Sequence, residues 1–138
     1  MGLYLCVFSS RATDHDAVKE LAACDVGHYS DFGFFRDTIA RHVGRAKYPV
    51  LMDHSDCDGE WTVAEMPRLR AELEEISAVF QKLPPAAPVG AFEHTAEYRE
   101  DATSLYDCFH DVNGTNLFEA LLDLCDIGVQ YGRPITFT

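Results

Sequence analysis

The chain has 138 residues and carries 23 acidic against 11 basic side chains, a net charge of −12. That excess argues against direct binding to nucleic acid and disfavours an anionic membrane surface, since both need clustered Lys and Arg. Its length is close to the commonest domain size, and its apolar share of 47% is that of a folded globule, so one domain over residues 1–138 is expected.

The cysteines, at positions 6, 24, 57, 108 and 125, are odd in number and include no C-x-x-C pair. This is neither a disulfide framework nor a zinc-knuckle spacing, and reduced thiols in a reducing compartment are expected. The apolar start is too short for a signal peptide and lacks a basic leader. Cys6 stands where a myristoylation motif wants Ser or Thr. No run approaches the ~18 apolar residues of a membrane helix. The expected location is cytoplasmic.

Leu3 to Phe8 is a short run rich in aromatic and aliphatic residues, and it predicts a buried strand. Asp14 to Asp16 suggests a turn, and Ala17 to Cys24 fits either a short helix or a hairpin arm. A helix is expected from Ser30, with Ser30 as its cap. Asp31 lies against the positive helix end, Phe32, Phe35, Ile39 and Val43 share one face, and Gly44 is placed to terminate it. Tyr48 to Met52 predicts a second strand, with Pro49 near its start.

Asp53 to Glu60 is an acidic loop containing the turn signal Asp58-Gly59. The longest helix is expected over Thr62 to Leu83, with Thr62 and Glu65 as a capping box. Met66, Leu69, Leu73, Ile76, Phe80 and Leu83 form its apolar stripe. Pro67 removes a donor early in this helix and predicts a loose or 3₁₀ start. Pro84 to about Thr103 has no periodicity and is taken as a surface excursion. Leu105 to Val112 predicts a third strand closed by Asn113-Gly114. A helix from Asn116 to Tyr131, capped by Asn116 and ended by Gly132, precedes a last strand, Ile135 to Thr138. The fold class expected is α+β, a small mixed β-sheet with about three helices packed on one face.

The segment Asp53-His54-Ser55-Asp56-Cys57-Asp58-Gly59-Glu60-Trp61 is the most unusual stretch. Its carboxylates and histidine could in principle hold a hard cation, but the glycine falls one residue late for a calcium loop and Ala64 stands where the final Glu belongs. A hydrogen-bonded turn is the simpler reading. Cys57 with His54 fails as a nucleophile and base, because a reactive thiol wants positive surroundings and its neighbours are aspartates. Trp61 is expected to lie against the long helix as a lid on the core. His15, His28, His42, His94 and His110 share no ligand spacing, and there is no phosphate loop, nucleophile elbow or zinc-protease motif. No catalytic residue, no metal ligand and no cofactor is assigned. Arg36, Arg41, Arg45 and Lys47 form a basic patch, whereas residues 53–60 and 93–111 are strongly acidic.

Tyr29-Ser30-Asp31-Phe32-Gly33, the stretch from Leu51 to Trp61, Ser104-Leu105-Tyr106-Asp107-Cys108-Phe109 and the closing Arg133-Pro134-Ile135 together resemble a bacterial family, immunity protein 70 of polymorphic toxin systems. The likeness runs from Leu3 to Phe137, and its most specific part is the His-Ser-Asp-x-Asp-Gly-Glu-Trp stretch. The resemblance implies an α+β cytoplasmic protein that neutralises a cognate toxin by direct contact and is not an enzyme. For such a protein, the run Asp53, Asp56, Asp58 and Glu60 beside Trp61, with no Lys or Arg among them, makes these five the candidate partner-binding residues, facing a basic toxin. The alternative from a different class is a small metal-binding protein or enzyme centred on residues 53–60.

Overall fold

The structure, a computed structural model, describes residues 2–10, 18–86 and 102–138. Strand β1 (Gly2–Phe8) pairs antiparallel with β2 (Glu20–His28), placing Leu5 opposite Cys24. The segment after Lys19 is thus the hairpin arm, not the helix. The turn expected at Asp14 to Asp16 and most of the 84–103 excursion lie outside the described residues. Side chains alternate along β1: Leu3, Leu5 and Val7 enter the core, and Tyr4, Cys6 and Phe8 take the other face.

The chain's last strand, β4 (Ile135–Phe137), lies beside its first, with Leu5 opposite Phe137. The two-residue strand β3 (Glu60–Trp61) then pairs with β4, giving the order β2-β1-β4-β3. Every pairing is antiparallel, so the sheet is not the mixed one expected. The α+β class stands. The difference follows from two predicted strands that form helical structure instead.

Helix α1 (Tyr29–Val43) begins one residue before Ser30. Its cap is His28, whose backbone N–H donates to Asp31 Oδ2 at 2.8 Å, so the acidic residue both closes the first turn and meets the positive helix end. Tyr48 to Met52 is not a strand: Pro49–Met52 forms the one-turn helix α2. Pro49 occupies its first position, where a missing N–H costs nothing. The predicted strand over Leu105 to Val112 is also corrected. Leu105–Cys108 is a 3₁₀ turn, and only His110 makes a bridge, to Asn116. Local side-chain bonds explain this. Asp107 accepts from the backbone N–H and hydroxyl of Thr103, which lowers its pKa, and Asp111 accepts from the N–H groups of Asn113 and Thr115.

The long helix starts as expected, with a 3₁₀ turn over Val63–Glu65 leading into α3 (Met66–Phe80). Glu65 Oε1 accepts from the Thr62 backbone N–H at 3.0 Å, so the capping pair is formed. Helix α4 (Leu117–Tyr131) is capped by Asn116 Oδ1, which accepts from Phe118 and Glu119, and it ends at Gly132 in the left-handed conformation. The helices α3 and α4 meet closely at Gly128. A β-carbon there would lie 2.9 Å from the Arg133 carbonyl and 3.3 Å from Met66 Cε.

Their stripes, with α1, pack on the Leu3–Leu5–Val7 face. The core is strongly aromatic: Phe35 makes edge contacts with Phe109 and Phe118, both at 5.2 Å between ring centres. Leu73 lies fully buried among these groups. Leu73→Ala is expected to cost about 2–5 kcal/mol, as buried leucine truncations do. A denaturation midpoint left unmoved by this change would show that α3 does not hold the core.

Candidate functional site

The acidic loop begins where α2 ends, so its placement depends on what holds a four-residue helix in position. Such a helix is too short to be stable alone. Its two remaining N-terminal donors are met by Glu72 of α3: Leu51 N–H donates to Oε1 at 3.0 Å and Val50 N–H to Oε2 at 3.3 Å. Glu72 is only 5% exposed, and the exposed Arg68 joins it at 3.3 Å. A buried carboxylate is tolerated when its oxygens are bonded in this way.

The other end of α2 is met by cations. One terminal nitrogen of Arg36 donates to the carbonyls of Leu51 and Met52 at 3.3 Å and to that of His54 at 2.6 Å. Arg45 donates to Met52 O at 2.9 Å. The Arg36 guanidinium also lies 4.7 Å from the centre of the Phe32 ring. Burial pulls the pKa of Arg36 down from the ordinary arginine value, and the field of Asp56 acts in the opposite sense. Arg36 of α1 and Arg45, which follows that helix, therefore serve in part as caps for α2. Negative charge at the start of a helix and positive charge at its end both oppose the helix dipole.

Beyond α2 the chain is fastened by aromatic groups. Trp61 is fully buried, and its indole N–H donates to Val50 O at 2.9 Å. It meets Phe137 at 4.7 Å and Phe32 at 6.5 Å, edge on. Trp61 therefore holds the loop from beneath and has no surface to offer a partner. His54 stacks on Phe137 at 4.1 Å, with Nδ1 2.8 Å from Ser55 O and Nε2 2.9 Å from Glu60 O. A neutral ring carries one N–H and can donate to only one of these carbonyls, whereas the doubly protonated ring donates to both. Gly59, at φ 83°, makes the turn into β3 in a conformation that side chains resist.

On this framework Asp53, Asp56, Asp58 and Glu60 are all exposed, together with Ser55 and Cys57. Asp53 lies 4.0 Å from Arg45, a solvated pairing of little energetic weight. Asp58 and Glu60 form no ion pair with any described residue. Among the described residues no three His, Cys, Asp or Glu side chains gather where they could hold a metal ion. The loop carboxylates diverge into solvent, and their backbone is fixed by neighbours. This arrangement suits contact with a large partner.

Glu72, Arg36, Tyr48 and Arg45 are the supports that motif reasoning passes over. Tyr48 is buried and donates its hydroxyl to Glu75 Oε1 at 3.3 Å. One signal for Glu72 was available: it falls between Leu69 and Ile76 at helical spacing, on the apolar stripe of α3, where a charge needs a reason.

Two outcomes follow. Glu72→Ala is expected to destabilise the protein by about 1–3 kcal/mol, the cost of leaving buried donors unpaired. It should also speed hydrogen exchange at the Val50 and Leu51 amides, and unchanged exchange there would exclude the capping role. The second concerns thiols. Cys6, Cys24, Cys108 and Cys125 are buried and Cys57 is exposed. Burial pushes the thiols of Cys24 and Cys125 up to about 12. Neutral in the fold but ionising when unfolded, they contribute stability that is full below the ordinary thiol value of 9.0 and lost as pH rises toward about 12. A thiol reagent should modify one cysteine in the native protein and five after denaturation; rapid labelling of more than one in the native state would contradict this burial.

No helix among the described residues is long and apolar enough to cross a membrane. Neither the curated proteins nor the solved structures contain a significant match to the chain. The family model of immunity protein 70, however, matches residues 3–137, from the first buried residue of β1 to the last of β4, and so takes in the pinned α2 and its acidic loop. The chain belongs to the immunity protein 70 family.

Proposed function

We propose that this chain is a non-enzymatic immunity protein of a bacterial polymorphic toxin system, which captures a basic toxin domain on the carboxylates of Asp53, Asp56, Asp58 and Glu60. An immunity protein neutralises a toxin by binding it, and membership of the family supports that much. The finer reading rests on one observation: four exposed carboxylates stand on a loop whose backbone is already pinned by Arg36, His54 and Trp61. A pre-ordered loop loses little conformational freedom on binding, so more of its contact energy is available as affinity. Trp61 supports that surface from below. The protein acts as one domain in the cytoplasm, and it needs no cofactor.

The net charge of −12 adds a long-range attraction for a cationic partner. Steering of this kind acts on association rates and fades as salt rises. Asp53→Asn, Asp56→Asn, Asp58→Asn and Glu60→Gln combined are expected to slow association with the cognate toxin by about tenfold or more at low ionic strength. Dissociation should change less. Circular dichroism melting of the combined variant checks that the fold survives. An association rate indifferent both to salt and to these substitutions would place the binding surface elsewhere.

A further inference from the structure

Glu60 belongs to two surfaces. Its neighbour Trp61 enters the core, so strand alternation turns the Glu60 side chain to the opposite face of the sheet. On that face a groove of about 550 Å³ is lined by Phe8, Glu60, Thr62, Val63, Arg133 and Thr136, among others. Its size is within the range of about 300–1,000 Å³ common for ligand sites. Its floor is built from β1, β4 and β3, with Glu60 directly opposite Thr136 and Thr136 opposite Cys6.

The charges in the groove are incompletely matched. Arg133 donates through Nε to Phe8 O at 2.9 Å and forms no ion pair with a described carboxylate. Glu60 has no cationic partner among the described residues either. The Ser10 hydroxyl, which also lines the groove, makes no hydrogen bond to any described residue. A carboxylate on one wall and a guanidinium on another, each with bonding capacity left, suit a polypeptide: a cationic side chain for the first and a backbone carbonyl for the second. Simple extension of the sheet is opposed, because the outward carbonyl of Glu60 is already bonded by His54 Nε2. An incoming chain would cross the face of the sheet and not lengthen its edge.

We infer that this groove is a second docking element for the toxin, taking an extended segment of it whose Lys or Arg side chain meets Glu60. The inference rests on the immunity reading for the identity of the partner, and the groove adjoins the proposed capture surface through Glu60 itself. Steering by the loop would bring the basic domain close, and the groove would fix its register.

A peptide probe tests the groove without the toxin. The ¹⁵N-labelled protein is titrated with millimolar capped Ala-Lys-Ala-Arg-Ala and, separately, capped Ala-Glu-Ala-Glu-Ala. The basic peptide should produce saturable amide shifts at Phe8, Glu60, Thr62 and Thr136, and the acidic one should not. Thr136→Arg, which fills the floor, should abolish them, with Val63→Arg filling the groove from the other wall should the first variant fail to fold. Glu60→Gln should weaken binding about two- to fivefold, as for a partly solvated ion pair. Shifts confined to residues 53–58, or equal shifts from both peptides, would overturn the groove. That result would leave the immunity reading standing, since that reading fails only if the wild-type chain does not capture the toxin.

Discussion

Glu72 is a carboxylate on the apolar stripe of the longest helix, with both oxygens committed to the start of α2. Burying a charge is unfavourable unless its hydrogen bonds are met, so α2 and Glu72 need each other. Remove the carboxylate, and two backbone donors lose their partner. Remove α2, and a buried carboxylate keeps only the solvent-exposed Arg68 as a partner. Because α2 leads directly into the acidic loop, this mutual dependence decides where the loop stands. The residues that display the charge do not position it. That work falls to α3 from one side and α1 from the other.

The second fastening comes from the far end of the chain. Phe137, in the strand beside β1, stacks on His54 and meets Trp61, and the Phe137 N–H donates to Gly59 O at 2.9 Å. The loop is therefore closed at both its ends by residues distant in sequence. Such long-range contacts form only once the sheet is assembled, so the order of the loop is tied to folding of the whole core. This coupling gives an acidic surface with a fixed shape, where an isolated run of the same residues would be an unstructured turn. Electrostatic repulsion among the four carboxylates is eased by solvent and by the Arg36 and Arg45 guanidiniums beneath and beside them.

Much of this fold was legible from periodicity and caps. The stripes on α1, α3 and α4 fall at helical spacing, and Thr62 with Glu65, Asn116 and Gly132 mark helix ends by chemistry local to the chain. The strands at both ends of the chain were equally plain. Tyr48 to Met52 was not, because a short apolar run is compatible with strand or helix, and the caps that select the helix come from Glu72 and Arg36, far away in sequence. At Leu105 to Val112 the apolar content suggested a strand, while Asp107 and Asp111 drew nearby backbone donors into turns. The acidic loop itself could be read because its charges cluster around one turn signal. Its supports could not, since no spacing rule links residues 36, 61 and 72. The groove on the outer sheet face was hidden for the same reason: it depends on placing β4 between β1 and β3.

On the proposed function, the family's binding role is carried in this chain by a pre-ordered acidic surface at residues 53–60. Hydrogen exchange of the protein, alone and saturated with its cognate toxin, tests it most directly. New protection is expected in peptides covering residues 53–61, starting from amides at Trp61 and Leu51 that already exchange slowly in the free protein. Protection confined to the exposed faces of α1, α3 or α4, with residues 53–61 exchanging as in the free chain, would contradict it.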